Sequence, residues 1–169
     1  MEMTRQETID SYKQKGFTVI PHNYSGIGTD VLIKSNTVVR IGSDSGYSAF
    51  AKLAQNTTSG LTNVVKIYSH SEPLGPVNDS SPNNEYSITE MELLTPMSQS
   101  ESGAYEEWIL PALDEIRKGK NPASDPYNLS NDLKILLNYS KTHNFDIDLL
   151  KSANVMKRGN VFIILDPFG

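Results

Sequence analysis

The chain has 169 residues, of which 37% are hydrophobic and 21% charged, and its formal net charge at pH 7 is −5. These values fit one globular domain with a core of its own. The negative charge argues against direct nucleic-acid binding, which needs a basic face, and leaves protein partners open. The lack of cysteine excludes a disulfide framework and thiol chemistry. Because no apolar run is long enough to span a membrane and the N-terminus is polar, we expect a cytoplasmic protein with no membrane partner.

The first 41 residues predict three strands after a polar start. Residues 1–15 predict either one short helical turn or a solvated arm. Runs of β-branched and aromatic residues then predict strands at 17–20, 30–33 and 37–41.

Two glycines, Gly26 and Gly28, lie between the first and second predicted strands. Glycines in such a loop let backbone N–H groups approach a phosphate. An ordinary hairpin loop is the alternative reading.

One helix and two further strands are predicted next. Residues 42–45 supply a helix cap, and apolar residues follow at helical spacing up to Ala54. Residues 63–68 and 86–94 predict the fourth and fifth strands, with a long proline-containing loop at 72–85 between them.

Two helices are predicted in the following stretch. After a linker at 98–102, apolar residues between Tyr105 and Ile116 recur at helical spacing, and Pro111 should kink or restart this helix. Ser130 is the expected cap of the next helix, which runs to about His143.

The last 24 residues predict a hairpin with a polar side chain at each end. Asn154 precedes Val155, Asp166 follows an apolar run, and Gly159-Asn160 is a typical tight turn. Because a hairpin brings its ends together, an amide oxygen and a carboxylate should lie side by side. Both are hard oxygen ligands that suit Mg²⁺ beside a phosphate chain.

The C-terminal segment resembles the catalytic segment of protein kinases, in which an Asn and the Asp of an Asp-Phe-Gly motif hold the metal ions. Here the second motif reads Asp166-Pro167-Phe168-Gly169. More specifically, the segment is similar to that of the small early-gene Ser/Thr protein kinases of short-tailed lytic bacteriophages.

The resemblance implies an α+β fold in a single kinase-like domain, residues 1–169. A small lobe, residues 1–97, would contain a five-stranded antiparallel sheet and one helix. Residues 98–169 would form a truncated helical lobe that ends in the β-hairpin.

The resemblance also implies a nucleotide site. Gly26 and Gly28 would belong to the phosphate-covering loop, and Arg40 stands nearest to the family's phosphate-binding lysine. Glu92 and Leu94 would belong to the segment that binds adenine through its backbone. The implied cofactors are ATP and Mg²⁺, with weak or no binding.

Asp148 is the candidate catalytic base, and Asn154 and Asp166 are the candidate metal ligands. The family places its base five residues before the metal-binding Asn, where this chain has Leu149, so Asp148 is one residue out of register.

Three further departures from the family concern catalysis. Arg40 replaces the lysine, and an arginine is not equivalent to a lysine at a shaped phosphate site. No Glu occurs between residues 8 and 71 to pair with it. The sequence also stops at Gly169, so we expect no activation segment.

Three hypotheses follow. The first is a kinase-like phage protein, catalytically impaired, that binds and inhibits or redirects a host or host-defence protein. The second is an active minimal Ser/Thr protein kinase that transfers the ATP γ-phosphate to host proteins. The third is a plain α+β interaction domain, which a sheet topology other than the family's would favour.

Overall fold

The computed structural model describes residues 3–21, 29–71 and 86–169. The fold is α+β, as predicted, with a five-stranded antiparallel sheet, four α-helices and a C-terminal two-stranded hairpin in the described ranges. The contacts divide the chain into two compact units. The first consists of Met1–Lys52 and Lys66–Leu93, and the second of Leu53–Val65 and Leu94–Gly169. The sequence-based domain of residues 1–169, divided at 97/98, stays a prediction.

The first unit is built on the five-stranded sheet. The elements of this part of the chain, in order, are α1 (Arg5–Gln14), β1 (Thr18–Val19), β2 (Thr29–Lys34), β3 (Thr37–Gly42), α2 (Ser45–Gln55, whose last three residues are assigned to the second unit), β4 (Ile67–Ser71) and β5 (Ser87–Glu92). The strand order is β1-β2-β3-β5-β4, and every neighbouring pair is antiparallel. One helix, α2, therefore separates the third strand from the fourth.

The core of this sheet comes from alternate residues of adjacent strands. Leu32 pairs with Val39 across β2 and β3, and both are fully buried. They form one cluster with Ile41, Tyr86 and Ile9. The period-two alternation of strands thus gives one apolar face, which needs a cover.

Helix α1 is the element that the sequence underestimated. A capping box between Thr4 and Glu7 starts it, because each side chain accepts a hydrogen bond from the other residue's backbone N–H. Ile9 packs into the sheet core, and the Arg5 guanidinium lies 2.5 Å from the buried Asp30 carboxylate. Tertiary contacts therefore hold this ten-residue helix in place. It contains few apolar residues, so apolar spacing in the sequence only weakly predicts it.

The fourth strand lies further along the chain than predicted. The sequence predicts this strand at residues 63–68, but β4 begins at Ile67. Val64 and Val65 are buried in the second unit, where the Val65 N–H donates to the Ile164 carbonyl at 3.0 Å. An apolar run in the sequence predicts that a segment is buried, but it does not predict which strand the segment pairs with.

The second unit contains two long helices and the hairpin. Its elements are α3 (Gln99–Arg117), α4 (Ser130–His143), a short 3-10 helix (Ser152–Asn154), β6 (Val155–Arg158) and β7 (Val161–Ile164). The core between them contains Ile109, Leu133, Leu136 and Ile163.

Helix α3 begins within the segment expected to be a linker and does not stop at proline. Ser98 and Glu101 form a capping box at its start. Pro111 lies inside one continuous helix, on an exposed position where the carbonyl group that loses its donor can face water.

Helix α4 is capped from outside its own sequence. The sequence predicts Ser130 as the cap, but the Asp125 carboxylate accepts the Leu129 and Ser130 N–H groups at 2.9 and 3.1 Å. A carboxylate at this helix end also suits the helix dipole. None of the helices in the described residues is long and apolar enough to cross a lipid bilayer.

Candidate functional site

The C-terminal hairpin brings the backbones of Asn154 and Asp166 together. Val155 pairs with Ile164 at the open end of the hairpin, and Gly159 adopts φ +62° in its turn. The Asn154 carbonyl accepts the N–H of Leu165 at 2.9 Å and of Asp166 at 3.4 Å. The two candidate metal ligands are therefore neighbours across the backbone, and both side chains belong to half-buried residues.

Asp148 joins the same network through its backbone. The Asn154 side-chain amide donates to the Asp148 carbonyl at 2.6 Å. The Asp148 N–H donates to the Pro167 carbonyl at 2.7 Å, next to Asp166. All three residues chosen from the sequence are thus connected by hydrogen bonds within the second unit, and Asp148 is exposed.

Asp148 lies at one end of a loop that a side-chain hydrogen bond closes. The hydrogen bond from Asn154 spans six residues and closes residues 148–154 on themselves. Gly169 packs beside Asp148, since a Cβ added at Gly169 would lie 3.4 Å from the Asp148 Cβ. A larger residue at position 169 would therefore restrict the position of the Asp148 carboxylate.

Helix α3 fixes this loop through two side chains, Tyr105 and Glu106, that no sequence motif marks as functional. The buried Tyr105 hydroxyl donates to the Leu149 carbonyl at 2.7 Å. Burial raises the pKa of the Tyr105 phenol, so the hydroxyl remains a donor. Glu106 accepts the Ser152 N–H at 3.3 Å and hydroxyl at 3.2 Å. Both residues lie in a helix predicted from its apolar spacing, which gives no sign of these hydrogen bonds.

The Asp-Pro-Phe-Gly end is anchored by aromatic packing. Phe168 is 2% exposed and stacks against Tyr139 of α4 and Phe145, with ring centroids 5.5 Å apart in each pair. Ile147 forms an antiparallel bridge with Phe168, and the Gly169 N–H donates to the Asp146 carbonyl at 2.9 Å. The segments on either side of the candidate base and the candidate metal ligand are therefore held together.

An amide oxygen and a carboxylate are ligand types that suit a magnesium ion beside a phosphate group. The Asn154 amide nitrogen is used in its hydrogen bond to Asp148, which leaves the amide oxygen as the ligand atom. Across residues 3–21, 29–71 and 86–169, no group of three or more His, Cys, Asp or Glu side chains could hold a metal. Asn154 and Asp166 would therefore supply two oxygens, and phosphate and water would complete the shell, as is usual for Mg²⁺.

Arg40 is held by the start of α2 within the first unit. Its guanidinium lies 3.3 Å from the Asp44 carboxylate and 3.6 Å from the centroid of the Tyr47 ring. Asp44 also accepts the Tyr47 N–H at 3.1 Å, which caps α2 as predicted. Arg40 thus joins β3 to the helix that follows it, a role that its place in a strand did not reveal.

Glu92 and Leu94, the other described residues predicted to contact the nucleotide, have ordinary structural surroundings. The Glu92 N–H donates to the Lys66 carbonyl at 3.0 Å, and its carboxylate accepts the Lys66 N–H at 2.9 Å. Leu94, the first residue of the second unit after β5, is buried. Gly26 and Gly28 lie outside the described residues.

Comparison with known protein families and with curated proteins found no match. Among solved structures, the chain is similar to the crystal structure of monomeric WbdD, with 13% sequence identity and a TM-score of 0.38. The match covers 89% of this chain and 35% of that one, so the chain spans about a third of that protein's length. A similarity at this level identifies neither a family nor a function.

Proposed function

We propose that this chain is a catalytically impaired, kinase-like protein of phage type that acts by binding a host or host-defence protein. The observation that carries the proposal is the hydrogen-bonded network of Asp148, Asn154 and Asp166. The antiparallel strand order with one helix between β3 and β4 supports it further. Sequence similarity supplies no support, so the proposal depends on this arrangement.

Impaired catalysis is inferred from the groups that would have to grip phosphate. Phosphoryl transfer depends on positioning and on electrostatic stabilisation of the transferred group. Arg40 stands near the lysine position, but its guanidinium contacts Asp44 and Tyr47. No Glu is available in α2 to orient it. Together with the offset of Asp148, these changes would remove much of the rate while leaving a folded protein able to bind.

The alternative is an active minimal Ser/Thr protein kinase, and one observation favours it. The loop closed by Asn154 keeps Asp148 exposed despite its extra residue of spacing. Asp148 would then accept the proton of a substrate hydroxyl. Asn154 and Asp166 would hold Mg²⁺, which would neutralise charge on the phosphates.

A nucleotide titration with and without Mg²⁺ tests the shared site, and labelled ATP tests the reaction. We expect weak Mg²⁺-dependent nucleotide binding that is lost in Asp166→Ala and Asn154→Ala and kept in the exposed control Asp114→Ala. No label should pass to proteins of a host lysate. Transfer that disappears in Asp148→Ala would replace the proposal with the active kinase.

Binding itself is tested by affinity purification from host lysate with the intact chain as bait. We expect one protein to be enriched reproducibly over an unrelated bait of similar charge. If no specific protein is recovered, the proposed binding function is wrong.

A further inference from the structure

A groove of about 680 Å³ lies within the second unit, and its lining does not include Asp148, Asn154 or Asp166. Its walls come from the end of α3, one face of α4 and the segment after α4. Basic side chains dominate its rim: Arg117, Lys120, Lys134 and Lys141. In a chain with net charge −5, four of its 15 Lys and Arg residues thus meet at one depression.

The basic rim is only partly neutralised by the protein itself. Arg117 pairs with Asp114 at 3.6 Å, and both side chains are about half exposed. Lys134 donates to the neutral Asn121 side chain. Within the part of the chain that the structure describes, neither Lys120 nor Lys141 lies within 4.0 Å of an acidic oxygen. Asp146 is the single acidic residue in the lining.

The floor of the groove is apolar. Ile116, Leu137, Phe145 and Ile147 line it, and all four are half-buried. An apolar floor with a cationic rim can accept aliphatic or aromatic side chains while the rim binds carboxylates. A flat, uniformly charged phosphate backbone would use the rim and leave the floor uncovered.

We infer that this groove is the docking site for an acidic peptide segment that carries apolar side chains, on a partner protein. Charge complementarity selects an acidic segment over a basic one, and the apolar floor selects a peptide over a nucleic acid. The inference deepens the proposed binding function and rests on it, because it names the surface used and the chemistry of the partner.

Fluorescence anisotropy with defined probes tests the groove directly. The probes are a fluorescein-labelled peptide of Glu and Leu residues, its counterpart with Lys for Glu, and a single-stranded DNA of similar length. We expect only the Glu-Leu peptide to bind, with affinity that falls as NaCl rises.

Charge reversal identifies the residues involved. Lys120→Glu with Lys141→Glu should weaken binding of the Glu-Leu peptide about tenfold. Lys13→Glu with Lys66→Glu changes the net charge equally at exposed positions that do not line the groove, and should leave binding within about twofold. Circular dichroism of both variants verifies that they are folded.

Several results would overturn the inference: no binding of the Glu-Leu peptide, equal binding of the Lys-Leu peptide, tighter binding of the DNA, or equal losses in the two variants. The lysate experiment separates this failure from that of the proposed function. If the Lys120→Glu, Lys141→Glu variant still recovers the partner, the groove is wrong and the binding function stands. If the unaltered chain recovers no partner, the binding function itself fails.

Discussion

Asp132 shows how one residue can set the position of a distant loop. Its carboxylate is fully buried and accepts the backbone N–H groups of Thr62 at 2.9 Å and Asn63 at 2.7 Å. The Thr62 hydroxyl adds a third donor at 3.3 Å. A buried carboxylate is tolerated when hydrogen bonds replace its hydration, so this residue depends on a segment about 70 residues away in sequence.

The substitution Asp132→Asn tests this contact. One carboxylate oxygen becomes an NH₂ group that must face a backbone N–H, so we expect the free energy of unfolding to fall by about 3 kcal/mol. Urea denaturation followed by circular dichroism measures it. The same change at the exposed Asp114 should cost less than about 0.5 kcal/mol. A loss at Asp132 as small as that at Asp114 would contradict the contact.

At the scale of elements, helix α3 is tied to the hairpin through its first turn. Glu101 accepts the Ser98 N–H at 2.9 Å and also lies 2.9 Å from the Lys157 ammonium on β6. The hydrogen bond from the Ser98 backbone, followed by those from Lys157 and the Ser98 side chain, lowers the pKa of Glu101 from 4.5 to about 2. One carboxylate therefore both caps a helix and pairs with a strand.

This lowered pKa predicts a pH dependence. Between pH 4.5 and about 2 the unfolded chain binds a proton at Glu101 that the folded chain does not, so stability falls as the pH falls. Glu101→Gln should lower the thermal midpoint at pH 7 and flatten its decline over this acid range. Thermal denaturation at a series of pH values measures both effects. Glu107→Gln, on the exposed side of the same helix, should show the same pH dependence of the thermal midpoint as the unaltered chain. A Glu101→Gln curve parallel to that of the unaltered chain would refute the proposed role of Glu101.

At the scale of the whole molecule, the two units do not correspond to two halves of the sequence. The second unit takes residues 53–65 from the first part of the chain. There the Ile164 N–H donates to the Asn63 carbonyl at 2.8 Å, and Val64 and Val65 are buried. A cut at residue 97/98 would thus remove a hydrogen-bonding partner of β7 and the donors to Asp132.

We therefore expect the fragment 98–169 to lack a cooperative thermal transition. Residues 56–66 joined to it by a flexible linker should restore helical circular dichroism and cooperative unfolding. The same linker followed by a scrambled 56–66 sequence is the matched control. A fragment 98–169 that unfolds cooperatively alone would show that the second unit does not need this segment.

The sequence by itself determined the α+β class, the order of the strands and helices from β1 onwards, and the hairpin that joins Asn154 to Asp166. These features depend on local periodicity and turn residues, which act over a few positions. The position of Asp148 next to Asn154 was only partly predictable. The spacing predicts a catalytic base one residue out of register, and the hydrogen bond from the Asn154 side chain that closes the loop depends on side-chain geometry.

Only the tertiary structure decided where several segments pack. Helix α1 forms against the sheet although Ile9 is its one buried aliphatic residue, and Val64 and Val65 pair with β7 instead of starting β4. Asp125 caps α4 in place of Ser130, and Tyr105 fixes the loop before Asn154. Each outcome depends on a partner distant in sequence, or on the direction of one side chain, and neither is encoded in a local pattern of apolar and polar residues.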